Sequence, residues 1–368
     1  MKKILFFKEG SFSHTNNNVY KILKENFKNF PIQTVDVWSD LVNKKSPYNL
    51  LNAIREYWRD LILGRKDIRD CVEYTPYIFR CIRRMIHKKF NTNEILFTFQ
   101  TQSIFDASIN GVPNFVYTDH THLYNLYYPG YSQNNLYSKQ WIKCEREIYQ
   151  NAAVNFTMSQ NISQSLIDQY HIHPNKIRCV YVGVNVPVKT FIEKTRKDSN
   201  HILMVGVDWM RKGGPTLIRA FQEVKKVIHD AKLTVVGCKP NINIEDCFFT
   251  GKIPLERVSE FYQTANLFCL PTEREPFGIS FLEAMSYRLP VIGTNIGAIP
   301  EFIHHGKNGY LIQPKDYKTL AQYIIDILKS KEKQYHFGNY GYQLINKKYS
   351  WQNTGKLISN TISQILSL

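Results

Sequence analysis

Glu275 and Glu283 bracket the run Glu275-Pro276-Phe277-Gly278-Ile279-Ser280-Phe281-Leu282-Glu283, whose residue types suit capture of an anionic, hydroxyl-bearing ligand. Residues 265–270 read as an apolar strand stopped by Pro271, and residues 279–287 contain no breaker and read as a helix. Between them Pro276 and Gly278 shape a tight loop in which backbone can approach a ligand closely. The amides of Gly278, Ile279 and Ser280 then fall at a helix N-terminus, where donors lack internal partners and the dipole favours anions. The expected result is a cradle for phosphate or sugar, with Phe277 in the same stretch. Glu283, about one turn into the helix, can accept both hydroxyls of a ribose, and Glu275 on the loop reaches a different part of the ligand.

A second cluster lies in Val205-Gly206-Val207-Asp208-Trp209-Met210-Arg211-Lys212-Gly213-Gly214, between a strand and a helix over residues 215–228. Two cations beside glycines at such a turn suit a diphosphate: backbone comes close, and Arg211 and Lys212 neutralise charge building on a leaving group. In the first half, residues 115–122 end a strand and place His120 at the edge of a cleft, with His122 as a neighbour able to exchange roles with it. Gly10, after the first strand, is assigned to close backbone approach.

The elements that must position these residues are short apolar strands alternating with longer helical patterns, which argues for parallel sheets covered by helices. Strands are expected at residues 4–7, 32–37, 95–99, 114–117 and 154–158, and a second cycle restarts with 201–206, 232–236, 247–250, 267–270 and 291–293. The division that follows is a first domain over 1–186, a linker over 187–200, a second domain over 201–351 and a final helical segment over 352–368. Two doubly wound domains facing a central cleft are expected, because open parallel sheets bind ligands beyond the carboxyl ends of their strands.

The Pro-Thr-x-x-Glu-Pro-Phe-Gly-x-x-x-Leu-Glu-Ala pattern from Pro271 to Ala284 resembles the signature of family 4 retaining glycosyltransferases of the GT-B architecture, also called glycosyl transferases group 1. The resemblance implies two Rossmann-like domains, a hexosyl transfer from a nucleotide sugar to an acceptor hydroxyl, and a final helix crossing back to the first domain. It implies that His120 contacts the transferred sugar, that Glu275 orients it and that Lys212 meets the leaving diphosphate. The catalytic set is then His120, Lys212 and Glu275. Donor contacts are assigned to Gly10, Arg211, Lys212, Lys252, Ile253, Glu275, Phe277, Gly278, Ile279, Ser280 and Glu283, with Lys252 and Ile253 in the segment whose backbone meets the base. The family commonly has an arginine where this chain has Val207, and Arg211 is the proposed substitute. No Asp-x-Asp is present, so cations and a helix N-terminus replace a metal in this expectation, and no cofactor beyond the nucleotide sugar is needed. UDP is the first expectation, with GDP or ADP as alternatives; the acceptor is a glycan, a lipid or a small molecule. Rival readings are another enzyme of similar architecture, an epimerase or phosphorylase, and a catalytically silent basic protein holding membrane or nucleic acid.

Bulk composition sets the frame. A chain of 368 residues suits two domains, and 43% hydrophobic with 14% aromatic content excludes wholesale disorder. No apolar run approaches the roughly 18 residues of a membrane helix, and residues 4–7 are too short for a signal-peptide core, so a cytoplasmic protein is expected. Seven cysteines without Cys-x-x-Cys spacing read as reduced core thiols. A net charge of +16 favours anionic partners, whether nucleotide phosphates, anionic lipid headgroups or nucleic acid; no nucleic-acid partner is expected here. Residues 76–90 carry Arg80, Arg83, Arg84, Lys88 and Lys89 without an acid on a helical apolar pattern, which raises two expectations: a core-facing domain helix, or peripheral contact with the inner face of an anionic membrane.

Overall fold

A computed structural model describes residues 2–12, 14–186 and 200–367, so the expected linker lies outside the described residues apart from Asn200. The chain divides into two compact units, Met1–Tyr181 with Thr354–Leu368, and Val182–Asn353.

The first unit is built on six parallel strands, β1 Lys3–Lys8, β2 Ile32–Asp36, β3 Ile95–Thr101, β4 Asn114–Thr118, β5 Val154–Thr157 and β6 Ile177–Cys179, in the order β2-β1-β3-β4-β5-β6. Its helices are α1 Thr15–Asn26, α2 Val37–Asp40, α3 Pro47–Ile62, α4 Ile68–Cys71, α5 Pro76–Lys89, α6 Lys139–Asn151 and α7 Gln160–Asp168. The inner strands are buried on both faces because helices cover both; one face of β3–β5 carries the buried polar Thr98, Gln100 and Asn155, and on the other phenylalanines interlock: Phe97 meets Phe115 edge-on at 5.5 Å and Phe99 stacks near Phe156. Helix α5 starts at Thr75, whose hydroxyl caps the amide of Ile78, and Pro76 follows at the first turn where its missing N–H costs nothing. Its apolar stripe, Ile78, Ile82 and Ile86, is buried against Leu5, Phe7 and Val35. The apolar stripe of residues 76–90 is thus core-facing, while Arg80 and Arg84 of the same helix are exposed.

The second unit repeats the plan with β7 His201–Val205, β8 Lys232–Val236, β9 Cys247–Gly251, β10 Leu267–Leu270, β11 Val291–Thr294 and β12 Gly309–Ile312, ordered β12-β11-β10-β7-β8-β9 and all parallel. Its helices are α8 Gly214–Lys225, α9 Leu255–Thr264, α10 Ile279–Ser286, α11 Tyr317–Leu328 and α12 Lys331–Lys348. The last helix, α13 Trp351–Leu366, has most of its length in the first unit, where Gly355 lies close enough to Ile22 of α1 that a Cβ would sit 3.2 Å from its side chain.

Strand order reverses once in each sheet, between β1 and β3 and between β10 and β7. At such a switch point the loops leaving two neighbouring strands diverge and open a crevice at their carboxyl ends. The second unit places the loops of residues 206–213 and 271–278 there.

Candidate functional site

The loops after β7 and β10 are locked together by glycine and by hydrogen bonds. Gly213 caps α8 with φ 73°, and a Cβ on it would lie 1.9 Å from the Pro271 carbonyl oxygen, so only glycine permits this approach. The Arg211 carbonyl accepts from the Glu273 amide at 2.8 Å and from the Thr272 hydroxyl at 2.9 Å. Thr294 on β11 in turn donates to the Thr272 carbonyl at 2.7 Å.

Lys212 and Glu275 are brought into direct contact. The Lys212 ammonium donates to Glu275 Oε2 in an ion pair whose residues are only 8% and 6% exposed. Arg211 approaches the same carboxylate at 4.0 Å, donates to the Arg274 carbonyl at 3.0 Å and to Asp208 Oδ2 at 3.3 Å. A buried cation held by a carboxylate at the mouth of a parallel sheet is poised to exchange that carboxylate for an incoming phosphate oxygen.

Gly278, at φ 97°, caps α10 without a side-chain bond, and Ile279 and Ser280 open the helix half-buried. Their amides are among those a helix leaves without internal partners. Phe277 is different from its assignment: its ring is buried against Phe302 at 5.5 Å and Tyr349 at 6.4 Å, so it anchors the loop and has only backbone to offer a ligand. Glu283 is also more enclosed than a free ribose grip. It is 6% exposed, accepts from the Tyr262 hydroxyl at 3.0 Å and from the Val186 amide at 3.3 Å, and burial, opposed by the Tyr262 bond, raises its carboxyl to about 7.

Of the remaining assigned residues, Lys252 and Ile253 belong to the second unit, and Gly10 and His120 to the first. Lys252 and Ile253 follow β9, the sheet edge two strands from β7, where Gly251 at φ 68° turns the chain and accepts from the Gly237 amide at 2.9 Å. Gly10, at φ 46°, donates its amide to Asp36 Oδ2 at 3.0 Å, and a Cβ there would meet nothing within 4 Å. Open space on that side leaves room for a ligand, and the turn itself requires the glycine.

His120 leaves β4 half-buried, stacked near Tyr128 at 6.0 Å and edge-on to Tyr124 at 5.9 Å. His122 is fixed elsewhere: its Nε2 accepts the Tyr137 amide at 2.7 Å and its ring stacks on Tyr137 at 4.8 Å. That bond requires a neutral Nε2 and removes His122 as an exchange partner for His120. The loop bearing both is tied down by Glu145 on α6, a residue that spacing along the chain does not single out. Its carboxylate accepts from the His122 amide at 2.9 Å, the Tyr149 hydroxyl at 3.0 Å and the Tyr170 hydroxyl, while the Tyr170 oxygen accepts from the Leu123 amide at 3.0 Å. Burial, opposed by these bonds, raises Glu145 to about 7. Tyr262, Asp208 and Thr272 are likewise visible only once the elements are packed, because each partner comes from a different element or loop turn.

Residues 186–344 match glycosyl transferases group 1, and residues 46–187 match Glycosyltransferase Family 4. The chain belongs to this family. Among curated relatives of this group 1 chain, N-acetyl-alpha-D-glucosaminyl L-malate synthase of Bacillus anthracis is 33% identical over 199 residues, 48% of this chain and 51% of the relative. The chain spans about half the length of the curated relatives it matches. Two solved structures share its fold at low identity: sucrose-phosphate synthase of Thermosynechococcus elongatus, with TM-score 0.71, 15% identity and 100% of both chains covered, and Anabaena HepE in complex with UDP and glucose, with TM-score 0.68, 16% identity and 99% and 100% covered. The fold of this glycosyl transferases group 1 member is therefore GT-B, a Rossmann-like parallel sheet in each unit. Among the described residues no helix is long and apolar enough to cross a membrane, and no group of three or more His, Cys, Asp or Glu side chains is placed to hold a metal.

Proposed function

We propose that the protein moves a hexose from a nucleoside diphosphate sugar to an acceptor hydroxyl with retention of configuration, in the synthesis of a glycan or glycolipid. The observation that carries this reading is the buried Lys212–Glu275 pair at the switch point of the second sheet, beside the Gly278 end of α10. The diphosphate takes Lys212 from Glu275, with Arg211 and the amides of Gly278, Ile279 and Ser280 sharing its charge. Glu275, released, accepts from hydroxyls of the sugar; Glu283 accepts from the ribose, and Lys252 and Ile253 meet the base through main chain. His120 and Gly10 belong to the sugar and acceptor side. Departure and attack occur on one face: the bond from the anomeric carbon to the diphosphate oxygen breaks, the acceptor oxygen bonds that carbon, and a donor phosphate oxygen takes the acceptor proton.

UDP is the preferred nucleotide, supported by the UDP and glucose in the HepE structure of the same fold. The reaction is assigned to the cytoplasm without a metal, because the cationic residues already supply the charge neutralisation.

Thermal shift with UDP, GDP and ADP identifies the nucleotide, since a ligand that binds the native state raises apparent stability. Matched sugar donors then give a turnover assay in which Lys212→Ala lowers the rate by on the order of 100-fold. Normal turnover in that variant sinks the assignment. Activity is expected to survive excess EDTA; loss on chelation, restored by magnesium or manganese, overturns the metal-free part of the proposal.

A further inference from the structure

Exposed large apolar side chains are not spread evenly over this molecule. Of the seventeen among the described residues, seven fall within residues 48–63: Tyr48, Leu50, Leu51, Ile54, Trp58, Ile62 and Leu63. An even spread would put about one there, and concentrated apolar exposure marks a surface that something covers. Leu51, Ile54, Trp58 and Ile62 recur at helical spacing along α3, 65%, 45%, 50% and 76% exposed, while Asn49, Ala53 and Tyr57 of the same helix are buried. The helix thus has two apolar faces, one against its own unit and one facing out.

The outward face is flanked by positive charge. Arg55 and Arg59 lie exposed on α3, and α3 packs beside α5, whose Arg80 and Arg84 are also exposed. Between the two helices is a cavity of about 530 Å³ lined by Arg55, Arg80 and Arg84, with Tyr77 and Gln140, against one carboxylate, Glu56. Arg83, one position away, is by contrast engaged with Asp106 at 3.7 Å and Glu147 at 3.6 Å.

We infer that α3, with the arginine-lined cavity beside it, docks the first unit on an anionic phospholipid bilayer: Leu51, Ile54, Trp58 and Ile62 enter the headgroup boundary and the cavity takes a lipid phosphate. Charge decides between this occupant and a second copy of the chain. A two-fold interface would press the same arginine-rich face against itself, in a protein of net charge +16, whereas an anionic bilayer complements it. Helix α3, kinked at Tyr57, carries exposed Leu51, Ile54, Trp58 and Ile62 beside the exposed Arg55 and Arg59, the mix of apolar, aromatic and cationic side chains found on interfacial helices. The surface assigned here is α3, not the core-facing stripe of α5, and the inference stands independently of sugar transfer.

Vesicle flotation tests it without any sugar donor. The full chain is expected to float with vesicles of phosphatidylcholine and phosphatidylglycerol at least about tenfold more strongly than with phosphatidylcholine alone, and to be released by high salt. The double variant Trp58→Ser with Ile62→Ser, and the triple variant Arg55→Gln with Arg80→Gln and Arg84→Gln, should each weaken flotation about tenfold or more. Tyr335→Ser, an equally exposed aromatic in the second unit, should leave it unchanged. Tryptophan emission should shift to the blue on anionic vesicles and lose that shift in Trp58→Phe. Equal binding to both vesicle types, binding that survives the double variant, or a lipid-free dimer in sedimentation velocity that the double variant dissolves, overturns the proposal.

Discussion

Lys212 and Glu275 act as a pair, because the carboxylate that would orient a sugar is the one that holds the phosphate-binding cation. Removing the carboxylate releases the lysine rather than disabling it. Glu275→Ala is therefore expected to bind the bare nucleoside diphosphate at least as tightly as the parent in calorimetry, while transfer falls by about 100-fold because the reacting sugar is no longer positioned. Glu283→Ala should behave in the opposite sense, losing roughly 1 to 3 kcal/mol of nucleotide affinity. Equal losses in both variants would show that the roles are divided wrongly. The types and spacing of these residues were legible in the chain because Arg211, Lys212 and Glu275 lie in glycine-bearing strand-to-helix loops and Glu283 lies about one turn into the helix that follows. Their partners were not: nothing in the sequence joins Lys212 to Glu275, 63 positions away, or Glu283 to Tyr262. Phe277 shows the converse failure, since an aromatic inside a ligand-facing motif can be spent on the core.

At the scale of elements, strand starts and types follow from apolar runs bounded by breakers, and ten of the twelve strands among the described residues were legible this way. The two that were not, β6 and β12, are edge strands of three and four residues, too short to show a pattern. Helix α12 is not legible in the chain, because Gly338 and Gly341 interrupt it and weaken helical propensity. The packing explains both: a Cβ on Gly338 would lie 2.2 Å from the Arg288 carbonyl oxygen, and one on Gly341 would lie 3.0 Å from Met285 of α10. These glycines let α12 press against the helix that carries Glu283. Gly338→Ala gives a test with opposite signs. Propensity alone would stabilise the helix by about 1 kcal/mol, whereas the clash should destabilise the protein by about 1 to 3 kcal/mol in urea unfolding. A stabilised variant would mean that α12 does not pack as closely as described.

Each unit carries a buried glutamate raised to about 7 chiefly by burial, Glu145 in the first and Glu283 in the second. The ordinary glutamate value is 4.5, so between about 4.5 and 7 the folded chain holds protons at these two sites that the unfolded chain has released. Stability from these groups is present in full below 4.5 and is lost as pH rises through about 7; full loss at one site is roughly 3 kcal/mol. Each site should lose its share of the slope when glutamate becomes glutamine, which stays neutral at every pH: Glu145→Gln in the transition of the first unit, Glu283→Gln in that of the second. Urea titrations at intervals across this range, followed by probes in each unit, make the comparison. Nucleotide affinity should run the other way in the parent, rising through about 7 as Glu283 ionises and can accept ribose hydroxyls, and should become flat in Glu283→Gln. A parent whose stability does not fall across this window, or a Gln variant that keeps the parental slope, would show that these carboxylates are hydrated in solution and that the enclosed geometry of Glu283 is not the state that meets the ligand.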